Sequence, residues 1–422
     1  MRVLLLCHGW PPESVGGVEQ HVQGLAGALA GLGCQVHVFA RTSTAGRPQG
    51  SCYLEHDGNP ALTRAVYRWE GVGSLDQTYD APVMAAALQG LLAAASARGE
   101  RFDVAHVHHL TGLSCGAVAV LQDAGIPVVL TLHDYWLLCP RGQMFHHRGE
   151  VCDRIDAARC AECLQLTFPH WLGPGNAAAA TALVQQRAAQ LLARVQKLVV
   201  PSLRVLPPFL AAGVPAGKCT VVENGVDTTA LHALPPPPCG PGPLRLGYLG
   251  TLIPSKGLHV LVEAVRRQQP GSVALRIFGN AVSYHGDDGY LTRVFEQLRP
   301  GDPVSYHGPY QAAELPAILG QIDVVAAPAL WHEAFGLTVR EGLAAGRPVL
   351  VSRIGGLQDA VTDRVQGRVL PPGDVAAWAA AIAELAADRQ LVRGLAVHAR
   401  SRARGFLPMA EELLTVYRDC RA

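Results

Sequence analysis

The sequence predicts an α/β protein made of two doubly wound, Rossmann-like domains facing each other across a cleft. Three observations predict it. At 422 residues and 49% apolar side chains the chain exceeds one ordinary core and can build two. Short β-branched or leucine-rich runs alternate with longer helical patterns, as parallel strands joined by crossover helices do. The alternation stops at LPPPPCGPGP (234–243), where proline and glycine are too dense for helix or sheet, and then restarts. The expected parts are an N-terminal domain over 1–235, a linker over 236–243 and a C-terminal domain over 244–405.

Taken in order, VLLLC (3–7) reads as a buried strand, VEQHVQGLAGALAGLG (18–33) as a helix and QVHVFA (35–40) as a second strand. DVAHVHH (103–109), a helix near 114–124 and IPVVLTLHD (126–134) repeat the unit. The helix TALVQQRAAQLLARVQ (181–196) feeds the strand KLVVPS (197–202), and a short helix leads to CTVVENGVD (219–227). Beyond the linker come LRLGYLG (244–250), a helix over 257–268, VALRIFG (273–279), helices near 287–298 and 311–320, DVVAAP (323–328), a helix from about 337, and PVLVS (348–352). FLPMAEELLTVYRDC (406–420) is amphipathic, and 406–422 is expected to pack back on the first domain.

Lys+Arg 35 against Asp+Glu 34 leaves a formal charge of +1, so no overall field gathers nucleic acid or coats an anionic membrane. The apolar run at the start is too short for a signal peptide, and no stretch of about 20 apolar residues lacks charge or breakers. Eleven cysteines, mostly scattered, suit a reduced cytoplasmic protein.

Chemistry is expected where strands end and helices begin. HGWPPESVGGVEQHV (8–22) places Gly16 and Gly17 before a helix, where amides approach an anion closely, and its spacing is not a dinucleotide fingerprint. GTLIPSKGLHVL (250–261) puts Lys256 at a helix mouth without forming a Walker loop. HEAFGLTVREGLAAGRP (332–348) carries Glu333 in a loop and Glu341 on the following helix. Eight helical positions span about 12 Å, whereas paired glycosidase carboxyls sit about 5 to 9.5 Å apart, so a hydrolytic pair is disfavoured. SRIGGLQDAV (352–361) adds a fourth glycine-bearing loop. Loops of this kind from both domains suit one phosphate-rich ligand.

In this order, LLCHGWPPESVGGVEQHVQGLAGAL, HVHHLTGLS, TLHDYW, VPS, VVENGVD, YLGTLIPSKGLHVLVEA and EAFGLTVREGLAAGRPVLVSRIGGLQDAV resemble the retaining glycosyltransferases of family 4, with the GT-B fold. The resemblance runs from residue 1 to about 375, and E-x7-E followed by G-x-P is its most specific element. It implies a nucleoside-diphosphate sugar (UDP-, GDP- or ADP-linked) as donor and a hydroxyl acceptor, with no cofactor needed for catalysis. Glu341 would hold the ribose, and Glu333 with the amides of Ala334, Phe335, Gly336 and Leu337 the sugar and distal phosphate. Lys256 would neutralise the diphosphate, helped by Gly16 and Gly17, and His133 would lie beside the sugar, with His109 and Asp134 on the acceptor side. After Gly250 the family usually has arginine; here it is Thr251, and Arg340 or Arg353 are the expected substitutes.

CPRGQMFHHRGEVCDRIDAARCAEC clusters Cys139, Cys152, Cys160 and Cys163, and Cys160-x2-Cys163 has zinc-knuckle spacing. Structural zinc is the expectation, with His146 or His147 as alternative ligands; an iron–sulfur centre, a regulatory disulfide and free thiols are the alternatives. The insertion, 139–176, resembles a subgroup carrying HDYWLLCPRGQ. Rival readings of the whole chain are an epimerase or disaccharide phosphorylase on the same fold, or a catalytically silent donor-binding member. Arg187, Arg194 and Lys197 suggest a basic face for peripheral membrane contact.

Overall fold

The computed structural model describes all residues except 43–51, 57–61, 69–72, 173–175, 238–239, 285 and 422. Parts of the expected linker (238–239), the insertion (173–175) and the C-terminus (422) thus lie outside the described residues. The chain divides into two compact units. Met1–Met144, Cys152–Gly225 and Phe406–Ala422 form the first, and Phe145–Val151 with Val226–Gly405 form the second.

The first unit holds an eight-stranded sheet in the order β3-β4-β2-β1-β5-β6-β7-β8. Its strands are β1 (Arg2–Cys7), β2 (Gln35–Thr42), β3 (Cys52–His56), β4 (Leu62–Arg68), β5 (Val104–Val107), β6 (Val128–Thr131), β7 (Lys197–Val200) and β8 (Cys219–Val221). All pairings are parallel except that of β3 with β4. The near-continuous apolar run of β1 follows from helices covering both faces, so side chains pointing either way are buried. On the Gly17–Gly31 helix, Val22, Leu25, Ala26 and Leu29 share one face and meet Met409, Leu413 and Tyr417 of the Phe406–Asp419 helix in one core. The close approach needs Gly24, where a Cβ would stand 2.2 Å from the Phe406 ring. The terminal helix therefore belongs to the first unit, as its amphipathic pattern suggested.

The second unit holds a parallel sheet in the order β11-β10-β9-β12-β13-β14. Its strands are β9 (Leu244–Leu249), β10 (Val273–Phe278), β11 (Val304–Tyr306), β12 (Val324–Ala327), β13 (Val349–Ser352) and β14 (Gly367–Leu370). The boundary between units falls at Gly225 rather than at the expected residue 235. The second unit claims the intervening segment because buried Arg347 donates to Pro235 O at 2.9 Å, Arg400 bonds Leu234 O, and Val226 N donates to Arg404 O.

Leu75–Ala97 is apolar and long enough by composition to cross a bilayer. It is two helices, Leu75–Tyr79 and Pro82–Ala97, and the 16-residue second one buries Met84, Leu88, Leu92 and Ala95. At about 24 Å it falls short of a hydrocarbon core of about 30 Å. The expected basic face is also broken up: Arg187 pairs with Asp76 and Asp80, and Lys197 lies in β7 rather than on the helix.

Candidate active site

In the second unit β9, β10, β12 and β13 are adjacent and parallel, so their carboxyl ends share one edge. Two loops from that edge lock together. Gly257 has φ 73° and a Cβ there would stand 1.9 Å from Pro328 O, so only glycine lets the loop after β9 press on the loop after β12. Leu330 N donates to Ser255 O at 2.8 Å across the same contact. The result is an ion pair: Lys256 Nζ donates to Glu333 Oε2 at 2.6 Å, with Lys256 5.4 Å from the centre of the Trp331 ring. Lys256 and Glu333, 77 residues apart, were singled out separately, and the fold joins them.

The backbone of Glu333 is pinned from the other side. Gly356 N donates to Glu333 O at 2.7 Å, and Gly355 would place a Cβ 2.4 Å from the same oxygen. Gly336, at φ 78°, turns the loop into the Leu337–Ala344 helix. That helix starts with amides of Leu337 and Thr338 that have no intrahelical acceptor, and it carries Glu341 a little over one turn in. Burial pushes the Glu341 carboxyl up to about 7, and burial together with the nearby Glu341 charge raises Tyr310. Gly250 (φ 141°) and Gly279 (φ 145°) abut at the ends of β9 and β10, and Tyr248 Oη donates to Thr251 O at 3.0 Å.

Neither expected substitute for the arginine missing at Thr251 joins Lys256. Arg340 is 2% exposed and its guanidinium serves the loop itself, bonding Phe335 O and Gly356 O while stacking 3.9 Å from the Phe335 ring centre. Arg353 is exposed and donates to Val369 O at 3.3 Å. Arg340, expected at the phosphate, is thus a structural member of the loop, and Gly257 and Trp331 are members of this site that the sequence motifs do not mark.

The first unit gathers a second set of groups. Gly16 begins the Gly17–Gly31 helix, and the buried Glu19 folds back toward it, with Oε2 2.7 Å from where a Gly16 Cβ would be. Glu19 accepts from Ser14 Oγ at 2.7 Å and lies 3.3 Å from His8 Nε2, so this helix start already carries an anion of its own. His109 Nε2 lies 3.3 Å from Asp134 Oδ2, and Trp136 N donates to Asp134 Oδ1 at 2.8 Å; the pair expected on the acceptor side thus shapes the HDYW loop. His133 is bonded to His108, with Nε2 3.0 Å from His108 Nδ1. Two histidines, His106 and His108, had gone unassigned. Their signal was the H-V-H alternation at the end of β5, which puts both rings on one face.

Cys160 and Cys163 lie on the Ala157–Thr167 helix, which Asp156 caps by accepting from Arg159 N at 2.8 Å. Cys139 and Cys152 are brought near them: Cys139 is within electrostatic range of Cys160, and Cys152 of both helix thiols. Arg141 Nη1 donates to Cys163 Sγ at 3.1 Å. Burial is the main cause that pushes the Cys139 thiol up to about 11 and raises Cys152 and Cys160. Among the described residues the four sulfurs do not all lie within 4.8 Å of one another.

Comparison with known proteins places the chain in a family. The family model for Glycosyltransferase Family 4 matches residues 15–230, and that for Glycosyl transferases group 1 matches 240–403. A glycogen synthase of Mycobacterium tuberculosis is 27% identical over 95% of this chain and 90% of its own. A D-inositol 3-phosphate glycosyltransferase of Xylanimonas cellulosilytica is 28% identical over 95% and 91%. Among solved structures, a sucrose-phosphate synthase from Thermosynechococcus elongatus superposes with a TM-score of 0.71 at 20% identity, covering 99% of this chain and 98% of that one. HepE of Anabaena, solved with UDP and glucose, reaches 0.69 at 18%, covering 99% and 100%. With one family model spanning more than half its length and a second spanning most of the rest, the chain belongs to glycosyltransferase family 4 and has the two-sheet fold of GT-B sugar transferases.

Proposed function

We propose that the chain moves a hexosyl group from a nucleoside-diphosphate sugar to a hydroxyl acceptor with retention at the anomeric carbon. The Lys256–Glu333 pair, built from two glycine-locked loops just ahead of the helix that carries Glu341, is the observation that supports it. Ionised Glu341 accepts hydrogen bonds from the ribose hydroxyls. Lys256 meets the diphosphate, and Glu333 with the amides at the start of the Leu337–Ala344 helix meets the sugar and distal phosphate. His133 stands beside the sugar.

Little proton chemistry is asked of the side chains. As the bond from the anomeric carbon to the phosphate oxygen breaks, the acceptor oxygen bonds to the same face and its proton passes to that departing oxygen. Positioning and stabilisation of the leaving diphosphate supply the rate. HepE was solved with UDP-glucose, and a starch synthase on the same fold with ADP, so the test is a panel of UDP, ADP and GDP sugars. The expected result is one preferred base, release of nucleoside diphosphate and an enlarged acceptor. A product of unchanged size, or free sugar phosphate, would support the epimerase or phosphorylase instead.

In this reading the chain works in a reducing cytoplasmic compartment, and Cys139, Cys152, Cys160 and Cys163 hold a structural zinc. Cys160 and Cys163 at i and i+3 on one capped helix, with Cys139 and Cys152 close enough to act on them electrostatically and an arginine donating to one sulfur, support that reading. Protein purified without a histidine tag is expected to carry about one zinc per chain, and Cys160→Ser with Cys163→Ser to lose it together with thermal stability. Stoichiometric iron, or no metal in the fresh protein, would refute zinc.

A further inference from the structure

His106, His108 and His133 form a connected series inside the first unit. His106 is clamped at both ring nitrogens, with Nδ1 2.6 Å from Tyr417 Oη of the terminal helix and Nε2 2.7 Å from Thr131 Oγ1. Its ring lies 4.1 Å, centre to centre, from that of His108. His108, 1% exposed, places Nδ1 3.0 Å from His133 Nε2, while its own Nε2 is buried without a hydrogen-bond partner. The His21 ring stands edge-on to His133 at 4.8 Å and offers no hydrogen bond from either nitrogen.

Burial holds all four imidazoles below their usual pKa, His21 and His106 at about 3 and the other two well below normal, so each is neutral and carries one N–H. The His108–His133 contact needs one donor and one acceptor. Were His108 the acceptor, its N–H would sit on Nε2, buried with nothing to accept it. Were it the donor, Nε2 would keep only an unshared lone pair, the more tolerable state for a buried polar atom. The donor must then be His108 Nδ1–H and the acceptor His133 Nε2, which leaves the His133 proton on Nδ1.

We propose that His108 is a positioning residue that fixes His133 in its Nδ1–H tautomer, so that His133 meets the sugar as a hydrogen-bond donor rather than as a base. His106, held by Thr131 and Tyr417, supports the His108 ring and ties this arrangement to the terminal helix. The inference rests on the reading above that places His133 beside the sugar. It predicts that His133 Nδ1 binds a hydroxyl oxygen of the transferred sugar and takes no proton during transfer.

The test uses the full chain labelled with 15N-histidine, with the His133 signals assigned by their loss in His133→Gln. Imidazole nitrogen shifts distinguish the two tautomers. The wild type is expected to show His133 as Nδ1–H, and His108→Leu to show a mixture or the Nε2–H form. His108→Leu should lower kcat about 10- to 100-fold with little change in donor KM. His108→Asn, whose amide N–H stands near the former Nδ1, should restore the tautomer and most of kcat. Wild-type His133 found as Nε2–H would overturn the proposal, as would equal losses in the Leu and Asn variants. If His133→Gln transfers sugar normally, the placement of His133 at the sugar fails instead, while the tautomer spectra still decide what His108 does.

Discussion

Lys256→Ala is expected to lower kcat by about 10²- to 10³-fold, the size of effect seen when a donor aimed at developing negative charge is removed. In the proposed reaction charge builds on the departing diphosphate, and Lys256 is the cation held by the two locked loops that this reading assigns to it. The loss should exceed that of an ordinary binding contact, because neither Arg340 nor Arg353 is placed to take over. A second effect comes from Glu333. Without its partner at 2.6 Å its carboxylate faces the incoming phosphates, so donor KM should rise as well. Adding Glu333→Gln to Lys256→Ala should recover donor affinity while kcat stays low, and this non-additivity separates the two roles. Steady-state kinetics on the single and double variants decide the matter: a single variant with near wild-type kcat would remove Lys256 from the reaction.

Glu341→Ala is expected to weaken nucleotide binding by about 10²- to 10⁴-fold, since two hydrogen bonds to a charged acceptor are lost at about 1.5 to 3 kcal/mol each. The pH dependence gives a sharper signature. Burial raises this carboxyl from 4.5 to about 7, so the folded protein holds the proton more tightly than the unfolded chain. The stability this contributes is complete below the unfolded pKa and is lost as pH rises through about 7. Glu341→Gln removes that loss and should melt higher than wild type at pH 8, by up to about 3 kcal/mol of stability. Ribose hydroxyls favour the ionised form, so wild-type nucleotide affinity should climb between pH 5 and 7 and then level off, with proton release on binding. Calorimetry in buffers of different ionisation enthalpy measures that release. A wild-type affinity that is flat with pH would show that Glu341 is not the ribose acceptor.

Much of this protein was legible in its residues. The alternation of VLLLC, DVAHVHH, LRLGYLG and DVVAAP with helical patterns announced parallel strands, because strands buried on both faces need near-continuous apolar runs. Edge strands β11 and β14 were not legible: VSY is partly exposed and GRVL short, so neither shows a period long enough to recognise. At the site, motif order points to Lys256, Glu333, Glu341 and His133 as candidates, whereas their partners in the fold have no such signal.

What the sequence determined by itself is the chemical inventory and the local conformations. Glycines sit where positive φ is required, carboxylates and a lysine sit near helix starts, and histidines alternate along a strand end. Those properties depend on a residue and its immediate neighbours. The tertiary structure alone decided that Gly257 presses its loop on Pro328 and so pairs Lys256 with Glu333, and that Arg340 braces the loop instead of meeting phosphate. It alone carried Tyr417 across 311 residues to His106, and His108 onto His133. The reason is physical. A pKa, a tautomer or an ion pair is set by what lies within a few ångströms and by how much water is excluded, and distance along the chain measures neither.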